Sequence, residues 1–379
     1  MKSYQRNALS EFLGDFVVYR NLVPVDQRLP GFSDFFHELK MHSQYAPRKS
    51  SPEYAKIIIR ILAAARTLDT PHAEIKRLIF LGDSRMNDGT AFVNICRAGG
   101  WPGIAFIGAE NDQPRQTEIL DEGDNCTLYL ANRWNLLAAF DTYLSQQNFP
   151  LDEGTVVLID MDKTMLGARG RNDSVIDRAR VDAAFQTVSA ALGDDFDALI
   201  FDAAYQRFNH SDYHAFTSDN QDYLVYICLI IASGIYDLDD FTDQVKSGRW
   251  SDFGTLLASV NARQAEFPSK LRAIHSDVYA CFEVGDPTPF KDFRRKEYQI
   301  TAAHMGHLES GCSLDIMLNE EIVITQEVRA AALKWRQRGG LIFGLSDKPD
   351  ESSIPTDALA KLGYLPLHQI TTDVVGDGV

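Results

Sequence analysis

The sequence predicts an α/β protein, a parallel sheet flanked by helices with a mostly helical insertion. Three apolar runs carry that reading: Leu78-Ile-Phe-Leu-Gly82, Thr155-Val-Val-Leu-Ile-Asp160 and Leu341-Ile-Phe-Gly-Leu345. Short runs of this kind are the composition of strands buried on both faces, which belong to parallel sheets. Each ends in polar residues, at the carboxyl end where a parallel strand opens onto a ligand crevice. Helical patterns alternate with the runs, as in βαβ units.

Size and charge narrow the function. A chain of 379 residues exceeds one average domain and fits an α/β core plus a further unit. Its 45% apolar and 24% charged residues are those of an ordinary soluble globule. A net charge of −16 with no basic tail or stripe argues against nucleic acid and against an anionic membrane as partner. An anionic substrate would need local cations or a metal to offset that field. The five cysteines are scattered and lack any Cys-x-x-Cys spacing, which points to a reducing, cytoplasmic setting with buried thiols. The N-terminus lacks an apolar signal segment, and the longest apolar stretch, Leu224 to Tyr236, is too short to span a bilayer. That stretch reads as a core helix. There are no internal repeats and no low-complexity segments.

Along the chain, residues 1–45 read as a helical extension, with helices at Ala8–Tyr19 and Ser33–His42 around a turn at Leu29-Pro30-Gly31. An amphipathic helix opens at Arg48-Lys49-Ser-Ser-Pro52-Glu53 and runs to Arg66. The strand ending at Gly82 delivers Asp83-Ser84-Arg-Met-Asn87-Asp88. A helix from Thr90 to Ala98 stops at Gly99-Gly100, and Gly103–Gly108 is the next strand. Residues Asn111 to Pro150 contain a helix from Asn132 to Gln147. The strand Thr155–Asp160 then delivers Asp160-Met-Asp162-Lys-Thr164. Two carboxylates in one crevice either do different work or share a cation; the bland alternative is a solvated acidic turn.

About 155 residues separate that loop from the third apolar run, too many for a connection. Helical patterns at Val175–Leu192, Asn220–Tyr236, Asp252–Glu266 and Ser269–Phe282 make this stretch, 166–322, a mostly helical insertion. Within it, residues 285–298 interleave Lys291, Arg294, Arg295 and Lys296 with aromatics. That segment fits either a grip on an anionic group or a solvated helix start. Asp202, after Ala-Leu-Ile-Phe, resembles a further strand-end acid without a partner and is read as structural. His210, His214, His304 and His307 have no repeated metal spacing. Finally, Thr325 caps a helix with an apolar face at Val328, Ala332 and Trp335, and the strand Leu341–Leu345 delivers Ser346-Asp-Lys348-Pro. Ser346 and Lys348 are donors suited to an anion's oxygens, or an ordinary polar turn. A helix at Pro355–Tyr364 and a strand at Leu367–Val375 follow.

Taken together, Asp160-Met-Asp162-Lys-Thr164, Ser346 and the Gly82-Asp83 to Asp88 loop resemble the motifs of the haloacid dehalogenase superfamily. The resemblance covers about 200 residues in two pieces, 46–165 and 323–379, and implies a Rossmann-like core with the insertion as a cap. In that family the Asp-x-Asp loop precedes the Gly-Asp loop; here it follows, by about 78 residues, so the resemblance implies a circular permutation, for which closely placed domain termini offer a route. It places the family's lysine at Lys49, with Arg48 and Lys56 as competitors. The implied activity is a Mg²⁺-dependent phosphatase acting on a small phosphorylated metabolite through an aspartyl-phosphate. Asp160 would be the nucleophile and Asp162 the general acid and base, with Ser346 and Lys49 completing the catalytic set. Asp160, Asp162 (through its backbone carbonyl), Asp83 and Asp88 would hold the metal, with Asn87 nearby. Thr164, Lys348, Lys291 and Arg294 are the further candidates for binding phosphate or substrate. The second aspartate of the motif favours phosphate over halide as the group displaced.

Other readings remain. Phe80-Leu-Gly82-Asp83-Ser84 also resembles the start of the Gly-Asp-Ser ester hydrolases, with Ser84 as nucleophile. That family needs a downstream Asp-x-x-His, whereas the spacings present, Asp34/His37 and Asp69/His72, lie upstream. A non-catalytic binding protein on the same fold, and phosphoryl transfer to an acceptor other than water, are the remaining alternatives. The sequence leaves oligomeric state open.

Overall fold

The structure is a computed structural model that describes residues 1–309 and 311–378. Its strands, in chain order, are β1 (Lys2–Asn7), β2 (Val17–Val18), β3 (Arg77–Gly82), β4 (Gly103–Gly108), β5 (Thr117–Asp121), β6 (Cys126–Ala131), β7 (Thr155–Asp160), β8 (Ile324–Thr325), β9 (Leu341–Leu345) and β10 (Thr372–Gly376). The main sheet has the order β2-β9-β7-β3-β4-β6-β5 and is parallel throughout except for β5, which pairs antiparallel with β6. A mixed α/β fold with a mainly parallel, helix-flanked sheet is therefore what the chain adopts.

Register sets the crevice. Asp160 of β7 is level with Leu345 of β9, and Ile159 is level with Leu81 of β3. The residues that follow these three neighbouring strands thus emerge side by side.

Alternate strand residues feed two layers, as period-two side chains require. Leu78, Phe80, Val156, Leu158 and Phe343 pack with Ile57, Ile61, Phe92 and Ile95 of the helices Pro52–Asp69 and Thr90–Gly99. Toward the other layer, Phe106 meets Phe140, which in turn meets Trp335, on the helices Leu137–Gln146 and Gln326–Gln337. Burial of each such side chain contributes about 1.5–3 kcal/mol. The helix Thr90–Gly99 ends where Gly100 takes a left-handed φ of 64°, a conformation that costs glycine nothing.

The chain divides into two compact units, residues 1–178 with 301–379, and residues 179–300. The first holds both sheets. The second, lying within the expected insertion 166–322, is built from helices such as Ala198–Phe208, Gln221–Ala232, Phe253–Ala262 and Ser269–Glu283. Gln221–Ala232 contains most of the long apolar stretch and is buried at nearly every position. Among the described residues no helix is long and apolar enough to cross a membrane. All five cysteines are free thiols, and Cys96, Cys126 and Cys228 are buried.

Several expectations are corrected. Residues 1–45 are not a helical extension: helix is confined to Ser10–Leu13 and Phe32–Phe35, while β1 and β2 join the sheets. The strand expected at Leu367–Val375 is β10, and it pairs with β1 and β8 in a separate three-stranded sheet. The place beside β9 goes to β2. The helix preceding β10 is only Asp357–Lys361. Residues 117–131 form a hairpin, β5 and β6, that the sequence reading omits. Asp202 lies on the exposed side of Ala198–Phe208, a helix capped by Asp197, and not at a strand end. Thr325 precedes its helix but makes no side-chain cap; its hydroxyl donates to the Thr164 carbonyl at 2.6 Å.

Candidate functional site

Asp160 is the last residue of β7 and is buried. The chain turns sharply after it, with Lys163 at a φ of 61°. That turn aims Asp162 back toward the end of β9, where its carboxylate accepts from Ser346 Oγ at 3.4 Å. Ser346 Oγ in turn accepts from the Lys348 backbone N–H at 3.1 Å. Lys348 is buried, and its ammonium donates to Thr301 Oγ1 at 3.3 Å. Thr164 is buried too. Its carbonyl takes the Thr325 hydroxyl, while its own hydroxyl has no partner among the described residues.

The loop after β3 contributes the other acids. It makes a wide turn in which the N–H groups of Asp88 and Gly89 both donate to the Ser84 carbonyl, at 2.8 and 3.1 Å. Asp88 folds back under the strand end, where Oδ2 accepts from the N–H groups of Asp83 and Ser84, each at 2.9 Å. Gly82 makes that fold-back possible, because a Cβ there would lie 2.5 Å from the Asp88 Cβ.

Lys49 arrives from the turn before the helix Pro52–Asp69. Ser51 caps that helix by accepting from the Tyr54 N–H at 3.2 Å, and Asn94 Nδ2 ties the turn down through the Ser50 carbonyl at 2.9 Å. The Lys49 ammonium donates to Asp88 Oδ1 at 2.6 Å and also to Asp160 Oδ1. The competing cations Arg48 and Lys56 are exposed.

Asp83, Asp88 and Asp160 each offer a carboxylate oxygen, and these oxygens lie within 4.8 Å of one another. The carboxylate of Asp162 stands outside that group, turned to Ser346. Burial, then Asp88, pushes the Asp83 carboxyl up to about 7, against the pull of Arg169 and Lys49. Burial also drives Asp160 well above the usual carboxylate range, with Asp88 and Asp83 adding to it and Lys49 opposing. Asp88 goes the other way: burial raises it, but Lys49 and the loop's hydrogen bonds outweigh that and hold it low. Burial disfavours the Lys49 charge, yet Asp160 and Asp88 keep its pKa well above the ordinary value. Three clustered carboxylates face two cations, Lys49 on Asp88 and Asp160 and Arg169 on Asp83, and the donors are all oxygen. Mg²⁺, a hard cation bound through a few carboxylates and its own waters, fits that set.

Arg169 belongs to the site although the sequence reading passed over it. Its Nη1 donates to Asp83 Oδ2 at 2.8 Å and to the Asp83 carbonyl at 3.3 Å. The available signal was an arginine between Gly167 and Gly170, just past an acidic strand end.

Two candidates are placed differently from the expectation. Arg294 is buried in the helical unit, donating to Asp222 Oδ2 at 2.8 Å and to Glu297 Oε2 at 2.8 Å. Lys291 is paired with Asp286 at 2.9 Å. Phe290, Phe293 and Tyr298 are buried as well, so the aromatics of 285–298 pack inward and form no open stacking surface. Ser84 Oγ accepts from the Asn87 N–H at 3.3 Å and, among the described residues, has no histidine partner.

Compared with known proteins, the chain matches no family model, no curated protein and no solved structure.

Proposed function

We propose that the protein is a Mg²⁺-dependent phosphatase that hydrolyses a small phosphomonoester through Asp160. One observation carries this reading. The adjacent strands β9, β7 and β3 end level, and there Asp160 and Asp88 meet the buried Lys49, Asp83 lies within the same acid cluster, and Asp162 meets Ser346. Four separated stretches of chain supply those groups, which a run of solvated turns has no reason to do.

Asp83, Asp88 and Asp160 would hold Mg²⁺, which when bound supplies the charge compensation a carboxylate needs to approach a phosphoryl group. Asp160 attacks phosphorus, and the bond to the leaving oxygen breaks as that oxygen takes a proton from Asp162. Asp162 then accepts a proton from the water that attacks the aspartyl-phosphate, releasing phosphate and Asp160. Lys49 and Ser346 donate to phosphoryl oxygens as charge shifts onto them. The helical unit 179–300 lies in the chain between the Asp160 loop and Ser346, the place in the sequence where this reading expects a cap. The Ser84 alternative gains no support from the Ser84 hydroxyl, which serves its own turn.

The test is phosphate release from a small aryl phosphate by wild type and Asp160→Asn, with and without Mg²⁺. Mg²⁺-dependent turnover that disappears in the variant is the expected result. Turnover that survives Asp160→Asn removes the nucleophile assigned here.

A further inference from the structure

Arg169 is held with unusual firmness for a half-exposed side chain. Its N–H donates to the Lys163 carbonyl at 2.8 Å, and its carbonyl accepts from the Glu110 N–H at 2.9 Å and from Trp134 Nε1 at 3.1 Å. The next residue, Gly170, has a φ of 75° and sits so close to Glu110 that a Cβ would lie 2.0 Å from its carbonyl oxygen. The backbone is thus fixed from three sides. The guanidinium uses one nitrogen, Nη1, on Asp83, while Nε and Nη2 make no hydrogen bond among the described residues.

Depth separates this cation from the rest of the site. The side chains of Lys49, Asp88 and Asp160 are 4%, 3% and 8% exposed, Asp83 is 12% exposed, and Arg169 is 43% exposed. A phosphoryl group that meets Asp160 and Lys49 goes in first, so its leaving group trails toward the mouth. Arg169 is bonded to Asp83, the most exposed member of the acid cluster, and is itself more exposed still, with two donors open. A planar guanidinium fork anchored at one end suits a carboxylate or phosphate at the other.

We infer that Arg169 is a specificity-determining residue that binds a second anionic group, a carboxylate or phosphate close to the ester. The inference rests on the phosphatase reading and deepens it: the substrate class is a small phosphomonoester with an adjacent anion. The phosphoryl oxygens already have Ser346, Lys49 and the metal, so the open edge of Arg169 serves the leaving group.

Calorimetric binding of phosphonoacetate and of ethylphosphonate, which replaces the carboxylate by a methyl, tests this in the presence of Mg²⁺. Both are measured on wild type and on Arg169→Gln. Wild type should prefer phosphonoacetate by about tenfold or more, the worth of one charge-assisted contact, and the variant's preference should fall toward one. Chelation of Mg²⁺ in solution is the same for both proteins and cancels in that comparison. If wild type binds both ligands equally, Arg169 reads no second anion. If the variant weakens both by the same factor and keeps the preference, Arg169 only positions Asp83, and the inference is overturned. If wild type binds neither phosphonate, the phosphatase reading itself fails and takes the inference with it.

Discussion

Lys49 and Asp88 lie 2.6 Å apart, nitrogen to oxygen, with both side chains almost wholly buried. A buried charge that loses its partner costs about 3–5 kcal/mol, far more than an exposed pair is worth. Lys49→Met should therefore lower stability by about that amount without metal, because Asp88 and Asp160 are left facing each other. Mg²⁺ should restore more stability to the variant than it adds to wild type. Urea denaturation of both proteins, with and without Mg²⁺, measures this; an unchanged midpoint in the metal-free variant would show that the lysine does not hold the acids.

Gly82 makes a second prediction. Alanine there places a Cβ 2.5 Å from the Asp88 Cβ, and the obstacle is the root of a buried side chain with no free end to swing away. Asp88 must shift and release its hold on the Asp83 and Ser84 N–H groups. Gly82→Ala should cost about 1–3 kcal/mol, as overpacking does, and weaken Mg²⁺ binding. Titration calorimetry with Mg²⁺ reads the second effect, and an unaltered affinity would mean that the Asp88 fold-back is not needed for the metal.

The strands that place the site were readable because both faces of each are buried, so composition alone marks them. Gly103–Gly108 and Thr155–Asp160 match at both ends. The strand β5 was not readable for the opposite reason. Four of the five residues of β5 are exposed, including Ile119, so no buried face imposes a pattern. Val17-Val18 is too short to show a period, and it hid inside an apparent helix. Composition identifies β10 as a strand but carries no information on its partners, which are β1 and β8. At the site, the Asp and Ser loops followed from the strand ends. Arg169 did not, because a polar turn shows no periodicity and the contact with Asp83 is made across 86 residues.

Two buried histidines predict the acid limb of stability. Burial depresses His275, and it depresses His368 against the opposing pull of Asp15, both from an ordinary value of 6.5. His275 is neutral between Tyr226 OH at 2.5 Å and Asn261 Oδ1 at 3.2 Å; Tyr19 OH lies 3.0 Å from His368 Nδ1. With the folded pKa below the unfolded one, the unfolded chain binds more protons in acid, so stability rises with pH. The histidines' contribution should be flat above about pH 7 and fall as pH drops below about 6.5. The raised carboxyls of Asp83 and Asp160 slope the opposite way, so the histidine part is read from the difference between wild type and variant. His368→Gln should flatten part of that fall. Urea midpoints between pH 5 and 8 decide it, and identical slopes for the two proteins would remove His368 from the account.

Arg294 predicts stability where the sequence had pointed to substrate. Its guanidinium bonds Asp222 and Glu297, Asp222 Oδ1 also accepts from the Phe290 N–H at 3.0 Å, and Arg180 reaches Glu297 at 3.1 Å. The network therefore joins the helices Gln221–Ala232 and Lys291–Ala303 with the turn between residues 285 and 290. Burial raises Asp222, the arginine offsetting only part of that, so its charge depends on the pair. Arg294→Met leaves the buried Asp222 without its cation and Glu297 with Arg180 alone, and should destabilise the helical unit by about 3–5 kcal/mol. Arg294→Met with Asp222→Leu removes both ends and should recover much of the loss, since apolar groups of similar volume replace buried ion pairs at little cost. A substrate-binding arginine would behave differently: the single variant would raise KM at unchanged stability, and removing Asp222 would rescue nothing. Thermal unfolding of the two variants, set beside the KM of whichever phosphomonoester proves to turn over, separates the roles.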